Sequence, residues 1–129
     1  MDKTILVVED NSAIRRVVEE FLSVLLDTEN VKIVSTDKEA VADRIIREED
    51  ISLLITDVNL GSGGDGLSIV NELNQRSERP YIILMSSIEW LKSIQEYLDS
   101  GLVDTFLNKP FTMIDLESKL RNCQTVNLK

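Results

Sequence analysis

Short apolar runs alternate along this chain with longer segments in which apolar residues recur at every third or fourth position. The runs predict buried strands, and the segments with helical spacing predict amphipathic helices. The run from Ser52 to Thr56 leads directly into Asp57, which a glycine-rich loop follows. Such a run is typical of a strand covered on both faces in the middle of a parallel sheet. A carboxylate at its end lies where open α/β sheets bind their ligands.

Five predicted strands alternate with five predicted helices. The strands are expected at 5–8, 31–34, 52–56, 81–85 and 105–107, and the helices are expected to begin near 11, 36, 65, 89 and 112. This alternation predicts an α/β fold with a doubly wound, five-stranded parallel sheet. Lys32 interrupts the second run, so we expect that strand at an edge, with the first, third and fourth strands at the centre.

Local signals indicate where helices start and which faces they bury. Thr36 and Glu39 have the spacing of a capping box and predict the start of the second helix there. Thr112 followed by Asp115 predicts the start of the last helix. The first helix is expected to turn one apolar stripe towards the sheet: Ile14, Val17, Val18, Phe21, Leu22 and Leu25.

Polar side chains that can carry chemistry follow four of the five predicted strands. They are Glu9 and Asp10 after the first strand, Asp57 after the third, Ser86 and Ser87 after the fourth, and Lys109 after the fifth. Because the carboxyl ends of parallel strands lie along one rim, we expect these groups to surround one crevice. Three carboxylates in one crevice repel one another, so either one of them is protonated or a cation lies among them.

Magnesium and a phosphoryl group fit this set of side chains. Carboxylates completed by water molecules suit Mg²⁺, a cation that works beside phosphates. The Lys109 ammonium and the Ser86 hydroxyl suit the oxygens of a phosphoryl group. Asp57 then remains as the nucleophile, because carboxylates can form aspartyl phosphates.

Composition narrows the expected partners and compartment. Among 129 residues, 14 are basic and 23 are acidic, which gives a net charge of -9 and argues against nucleic acid or an anionic membrane as a partner. Cys123 is the only cysteine, so we expect a reducing compartment and no internal disulfide. We expect a cytoplasmic protein, because the sequence lacks a signal peptide and an apolar run of the roughly 20 residues that span a bilayer.

The motifs resemble those of the response-regulator receiver domain of two-component and phosphorelay signalling, across essentially the whole chain. Four motifs carry the resemblance in order: Val-Val-Glu9-Asp10, Leu-Ile-Thr-Asp57, Ser86 and Lys109-Pro110-Phe111. The resemblance implies a flavodoxin-like (βα)5 fold with strand order 2-1-3-4-5 and a cis bond between Lys109 and Pro110. We expect residues 1–123 to form the receiver domain and 124–129 a short C-terminal tail, with no effector domain.

The resemblance also implies a role for each residue of the rim. Asp57 accepts a phosphoryl group from a phosphohistidine of a histidine kinase or a histidine phosphotransfer protein, which has to be another chain because this one contains no histidine. Ser86 and Lys109 hold the phosphoryl oxygens, and Phe106 is the aromatic switch that turns inward as Ser86 moves. Four residues are implied as magnesium ligands: Glu9 through water, Asp10, Asp57, and Asn59 through its backbone carbonyl.

Three departures from the family pattern concern the site. Ser86 replaces the threonine that is more frequent at its position, which keeps the hydroxyl. The loop after Asp57 lacks the common Met-Pro and is one residue longer than usual. A residue is also inserted between Gly101 and Phe106, so counting back from Lys109 selects Ser87 as the hydroxyl that contacts the phosphoryl group. Counting from Gly101 and from the strand end selects Ser86, which we prefer.

Output is expected through contacts with a downstream protein, by way of a face formed by Trp90, Tyr97 and Phe106, and not through turnover of a free substrate. The protein is therefore not expected to be an enzyme. Two alternatives remain open: a receiver-like interaction module that is never phosphorylated, and a phosphatase with an aspartyl nucleophile. The phosphatase would require a second aspartate two positions after Asp57, where this chain has Asn59, and a cap domain.

Overall fold

Five strands and five helices alternate in the computed structural model, which describes residues 3–87 and 91–129. The strands are β1 (Lys3–Val8), β2 (Val31–Thr36), β3 (Ile51–Asp57), β4 (Tyr81–Ser86) and β5 (Thr105–Asn108). The helices are α1 (Ser12–Leu25), α2 (Glu39–Glu48), α3 (Gly66–Leu73), α4 (Leu91–Asp99) and α5 (Met113–Leu120), and a 3₁₀ turn, Gly61–Gly63, precedes α3. Within the described residues, none of the helices has the length and apolar character that crossing a membrane requires.

The strands are parallel and form one sheet in the order β2-β1-β3-β4-β5. The expected order is confirmed, with the mixed strand β2 at an edge and β3 at the centre. Every residue of β3 is buried, because apolar cores lie on both faces of the sheet. Strand order reverses between β1 and β3, and such a reversal opens a crevice at the carboxyl ends of the two strands.

Side chains that alternate along the strands build one apolar core on each face of the sheet. Ile5 and Val7 join the core beneath α1 and α5, whereas Leu6 and Val8 join the core beneath α2, α3 and α4. Burial stabilises a fold by about 1.5–3 kcal/mol for each large aliphatic side chain. Packing on both faces therefore fixes the positions of the strands, and with them the positions of the residues at the strand ends.

Helix α1 begins after Asn11, whose side-chain oxygen accepts hydrogen bonds from two backbone N–H groups of the first turn. The buried residues of this helix are Val18, Leu22 and Leu25. Val17 is 38% exposed, so its expected place in the buried stripe is wrong. The face of α1 that packs on the sheet is narrower than the apolar stripe, and Val17 instead lines a surface groove beside Pro110 and Phe111.

The two predicted helix starts have different outcomes. Thr36 is the last residue of β2, and its hydroxyl accepts a hydrogen bond from the Lys38 backbone N–H at 3.3 Å. Helix α2 begins at Glu39 with Lys38 as its N-cap, so the capping box predicted for this helix is wrong. For α5 the predicted start is confirmed, because Thr112 and Asp115 form a reciprocal capping box.

Residues 124–129 pack against the end of the sheet opposite the predicted site. The Thr125 hydroxyl donates a hydrogen bond to the Ser52 carbonyl at 2.6 Å, and Val126 is buried. The segment also pairs in antiparallel direction with the residues that follow α1. The chain after α5 therefore adds to the core beneath α1.

Candidate functional site

Four strand ends meet at one edge of the sheet and bring predicted site residues together. Glu9 follows β1, Asp57 and Ser86 are the last residues of β3 and β4, and Lys109 follows β5. The Lys109 ammonium contacts Asp57 Oδ2 and lies 2.9 Å from Glu9 Oε1. Residues from three separate strand ends therefore form one ionic group, as expected if the carboxyl ends of parallel strands lie along one edge of the sheet.

Three carboxylates form a compact acidic cluster around this ionic group. One oxygen atom from each of Glu9, Asp10 and Asp57 lies within 4.8 Å of the others. Glu9 and Asp57 are buried, whereas Asp10 is exposed, so the cluster opens to solvent on the Asp10 side. Within residues 3–87 and 91–129, Glu9 Oε2 is buried without a hydrogen-bond partner. An all-oxygen set with one buried oxygen still unpaired fits Mg²⁺, a hard cation that retains several waters.

The protonation of Glu9 and Lys109 reflects this crowding. The pKa of the Glu9 carboxyl is raised from 4.5 to about 7: burial raises it most, the neighbouring Asp57 carboxylate also raises it, and Lys109 acts in the opposite direction. Burial acts to lower the pKa of Lys109, but hydrogen bonds to Asp57 and Glu9 outweigh this effect and raise it above its ordinary value. Lys109 therefore stays charged at neutral pH, whereas Glu9 exchanges its proton near neutrality.

The backbone fixes where the Lys109 side chain starts. The Lys109 N–H donates a hydrogen bond to the Ser86 carbonyl at 2.8 Å, which joins the ends of β4 and β5. The bond between Lys109 and Pro110 is cis, as the resemblance implied. Ser86 itself is fully buried, and its hydroxyl donates to the Ser87 carbonyl at 2.6 Å. Ser87 is half-buried, and the choice between the two hydroxyls as phosphoryl contacts stays a prediction.

The glycine-rich loop after β3 closes the other side of the site. The Asn59 N–H donates a hydrogen bond to Asp57 Oδ1 at 3.0 Å, and Asn59 Oδ1 accepts one from the Gly61 N–H at 2.8 Å. Gly61 has φ +60°, and a Cβ atom there would lie 3.3 Å from Asp10 Oδ2. A glycine is favoured at this position, because the backbone passes close to Asp10 in a left-handed conformation. Metal ligation by the Asn59 carbonyl stays a prediction.

The predicted switch and partner face are only partly described. Phe106 is half-buried against the core beneath α4, and the Lys119 ammonium lies 5.5 Å from its ring centroid. The Tyr97 hydroxyl accepts a hydrogen bond from Asn71 Nδ2 at 3.1 Å, and its ring packs against the same core. Trp90 lies outside the described residues. The roles proposed for Phe106 and for this face stay predictions.

Two contacts near the site were not anticipated from the sequence. The Arg15 guanidinium donates a hydrogen bond to the Glu9 carbonyl at 2.8 Å. The Glu39 carboxylate accepts hydrogen bonds from the Asp65 backbone N–H and the Ser68 hydroxyl at the start of α3. Neither contact has a local signal, since each joins side chains or backbone from separate elements.

The comparison with known proteins agrees with the geometry. Residues 5–121 match the sequence model of the response regulator receiver domain. The chain belongs to that family. This receiver domain is 31% identical over 121 residues to the transcriptional regulatory protein KdpE of Staphylococcus aureus, covering 94% of this chain and 49% of KdpE. It is 28% identical over 120 residues to the regulatory protein VirG of Agrobacterium fabrum, covering 92% of this chain and 45% of VirG.

Solved structures support the fold of this receiver domain. A response regulator receiver domain protein from Clostridium thermocellum has a TM-score of 0.78 at 22% identity, with 95% of this chain and 94% of that chain covered. The response regulatory domain of protein mrkE from Klebsiella pneumoniae has a TM-score of 0.79 at 17% identity, with 95% of each chain covered. The predicted flavodoxin-like fold and the place of this domain in two-component signalling are confirmed.

The chain covers only part of its curated relatives, and their names bear on which partners to expect. The chain spans about half the length of KdpE and VirG. The expectation that nucleic acid is not a partner gains no support, because KdpE is named a transcriptional regulatory protein. The response regulator relatives imply a histidine kinase as a partner.

Proposed function

We propose that this receiver domain is a phosphorylation switch, in which Asp57 accepts a phosphoryl group from a phosphohistidine of a histidine kinase or a histidine phosphotransfer protein. The observation that carries the proposal is the ionic group of Lys109, Asp57 and Glu9 with Asp10 beside it. One ammonium among three carboxylates leaves surplus negative charge at a largely buried position. Buried charge that is not fully paired costs several kcal/mol, so this arrangement favours a role in binding over a purely structural one.

Asp57 is held in an orientation that suits nucleophilic attack. Among the described residues, the Asn59 N–H lies 3.0 Å from Asp57 Oδ1 and the Lys109 ammonium contacts Oδ2. In the proposed step, a carboxylate oxygen of Asp57 bonds to phosphorus as the P–N bond of the phosphohistidine breaks. The electron pair of that bond stays on the imidazole nitrogen of the donor. A fixed carboxylate lowers the entropic cost of reaching this arrangement.

The remaining side chains bind and orient the transferred group. Mg²⁺, when bound by Asp10, Asp57, the Asn59 carbonyl and, through water, Glu9, would offset the negative charge of the phosphoryl oxygens. Lys109 keeps its charge because its pKa is raised, and in the proposal it contacts one of these oxygens. Ser86 supplies a hydroxyl donor for another.

Phosphorylation would add about two negative charges at the end of β3. The proposed response is a movement of Ser86 toward the phosphoryl group and of Phe106 inward, which biases an existing equilibrium between two conformations. The surface near Tyr97 and Phe106 would then change its affinity for a downstream protein. Output by protein contact, without turnover of a free substrate, is part of the proposal.

Acetyl phosphate with Mg²⁺ provides a direct test, read by intact-protein mass spectrometry. We expect one added phosphoryl group on the wild type, none on Asp57→Asn, and none when EDTA removes Mg²⁺. A protein that stays unmodified while Asp10 and Asp57 are intact would favour the interaction module. Continuous release of inorganic phosphate without an adduct would favour the phosphatase.

A further inference from the structure

The first residue of α2, Glu39, holds the loop that follows β3. Its Oε1 accepts a hydrogen bond from the Asp65 backbone N–H at 2.9 Å, and its Oε2 accepts one from the Ser68 hydroxyl at 3.1 Å. Asp65 is also the N-cap of α3, with its side chain accepting a bond from the Leu67 N–H. One half-buried carboxylate therefore ties the start of α2 to the start of α3.

Glycines in the loop allow this close approach. A Cβ atom at Gly63 would lie 2.4 Å from the Asp37 carbonyl oxygen, and one at Gly64 would lie 2.7 Å from Glu39 Oε1. Gly64 also has φ +120°, a conformation that side chains other than glycine rarely adopt. The loop is thus shaped to fit against the segment before α2 and the Glu39 carboxylate.

The same loop contains Asn59, and the chain segments on the two sides of the loop are hydrogen-bonded to each other. Asn59 and Asp65 form an antiparallel bridge, with the Leu60 N–H bonded to the Gly64 carbonyl and the Gly66 N–H bonded to the Val58 carbonyl. The Asn59 N–H in turn donates to Asp57 Oδ1. The paired backbone therefore connects Asp65 to Asn59, next to the acidic cluster.

We propose that Glu39 is a positioning residue for the magnesium site: by holding Asp65, it sets the backbone of Asn59 beside Asp57. The inference rests on the proposed function and deepens it, because Asn59 is the backbone ligand in that proposal. Without the Glu39 carboxylate, the Asp65 N–H loses its acceptor and the loop gains conformations in which Asn59 is misplaced. Binding of Mg²⁺ then has to order this loop, which Glu39 already orders in the wild type, and the entropic cost weakens binding.

Glu39 could also act on Mg²⁺ through its charge alone, and two variants separate this effect from positioning. Glu39→Gln removes the charge but keeps a side-chain oxygen that accepts from Asp65. Glu39→Asp keeps the charge but shortens the side chain, so that it no longer reaches Asp65. Ser68→Ala is a matched control, because it removes only the bond to Oε2 and leaves the bond to Asp65.

Isothermal titration with Mg²⁺ alone, together with amide hydrogen exchange, tests the inference on the full chain. We expect the Mg²⁺ Kd to rise about fivefold in Glu39→Ala and Glu39→Asp, less than for partners bonded directly to a ligand, and to stay near the wild-type value in Glu39→Gln and Ser68→Ala. The Asn59 and Asp65 amides should exchange faster in Glu39→Ala. Urea unfolding checks that each variant folds, and Glu39→Asp carries the test if Glu39→Ala does not fold.

Three outcomes would overturn the inference. Unchanged Mg²⁺ affinity in both Glu39→Ala and Glu39→Asp would show that Glu39 does not position the site. Equal weakening in Glu39→Gln and Glu39→Ala would assign the effect to charge. If the wild type itself did not bind Mg²⁺, the proposed function would fail and the inference with it, which distinguishes that case from the first two.

Discussion

Without Mg²⁺, the free energy of unfolding of this receiver domain is expected to fall as the pH rises from 5 to 8, because of Glu9. In the unfolded chain the Glu9 carboxyl has its ordinary pKa of 4.5, whereas in the folded protein burial and then Asp57 raise it to about 7. Between these values the folded protein holds a proton that the unfolded chain has already released. Stability therefore decreases as pH rises through this window and levels off above about pH 7.

The magnitude follows from the difference between the two pKa values of Glu9. A difference of about 2.5 units corresponds to roughly 3–4 kcal/mol at most, since each unit is worth about 1.4 kcal/mol. Between pH 5 and pH 8 the expected loss is about 2–3 kcal/mol, because part of the total loss has already occurred by pH 5.

Urea unfolding of the wild type and of Glu9→Gln, in EDTA at several pH values, measures this loss. Glutamine keeps an oxygen that can accept from Lys109, but it does not ionise, so the effects of all other groups are shared by both proteins. The wild type should lose about 2–3 kcal/mol more than the variant between pH 5 and pH 8. Saturating Mg²⁺ should restore stability to the wild type at pH 8, because the cation binds only the folded state. Parallel pH curves for the two proteins would refute the reasoning.

Three further changes are expected to lower the urea midpoint. Gly66→Ala should cost about 3 kcal/mol, because its Cβ atom would lie 1.8 Å from the Asp57 carbonyl oxygen. Thr112→Ala should cost about 1 kcal/mol through loss of the capping box at α5. Removal of residues 124–129 should cost about 2 kcal/mol, because it removes buried Val126 from the core beneath α1.

Each of these predictions has a control or a contradicting result. A wild-type midpoint for Gly66→Ala would show that the backbone after β3 can move away from Asp57 at little cost. Thr112→Ser keeps the capping hydroxyl and should unfold close to the wild type, and an equal loss in both Thr112 variants would rule out the capping explanation. Unchanged stability after removal of residues 124–129 would mean that this segment does not contribute to the folded core.

Much of the site could be predicted because it depends on strand ends. The uninterrupted apolar run of β3 predicts a central strand, and Asp57 at its end follows the general rule for ligand crevices in parallel sheets. The same rule predicts that Glu9 and Lys109 lie near Asp57, although it gives no distances. At α5, Thr112 and Asp115 are only three positions apart, so their reciprocal capping bonds depend on local geometry alone.

Predictions were wrong where distant residues compete for a side chain. Thr36 and Glu39 have the spacing of a capping box, but Thr36 ends β2, and the Glu39 carboxylate accepts hydrogen bonds from Asp65 and Ser68 at the start of α3, 26 and 29 positions away. Val17 fits the apolar period of α1 but lies at its margin and is exposed. Local spacing contains no information about which competing partner is better placed.

The sequence by itself determined which segments become strands, which residues stand at the strand ends, and the excess of negative charge among them. Periodicity and the direction of parallel strands are sufficient for these conclusions, because both act within one element or one sheet. Only the tertiary structure decided that Glu9 is fully buried, that one of its oxygens lacks a partner among the described residues, that Lys109 contacts two carboxylates at once, and how the glycine loop packs against α2. Burial and hydrogen-bond partners depend on how elements far apart in the chain come together, and these factors set the pKa of Glu9 and the shape of the acidic cluster.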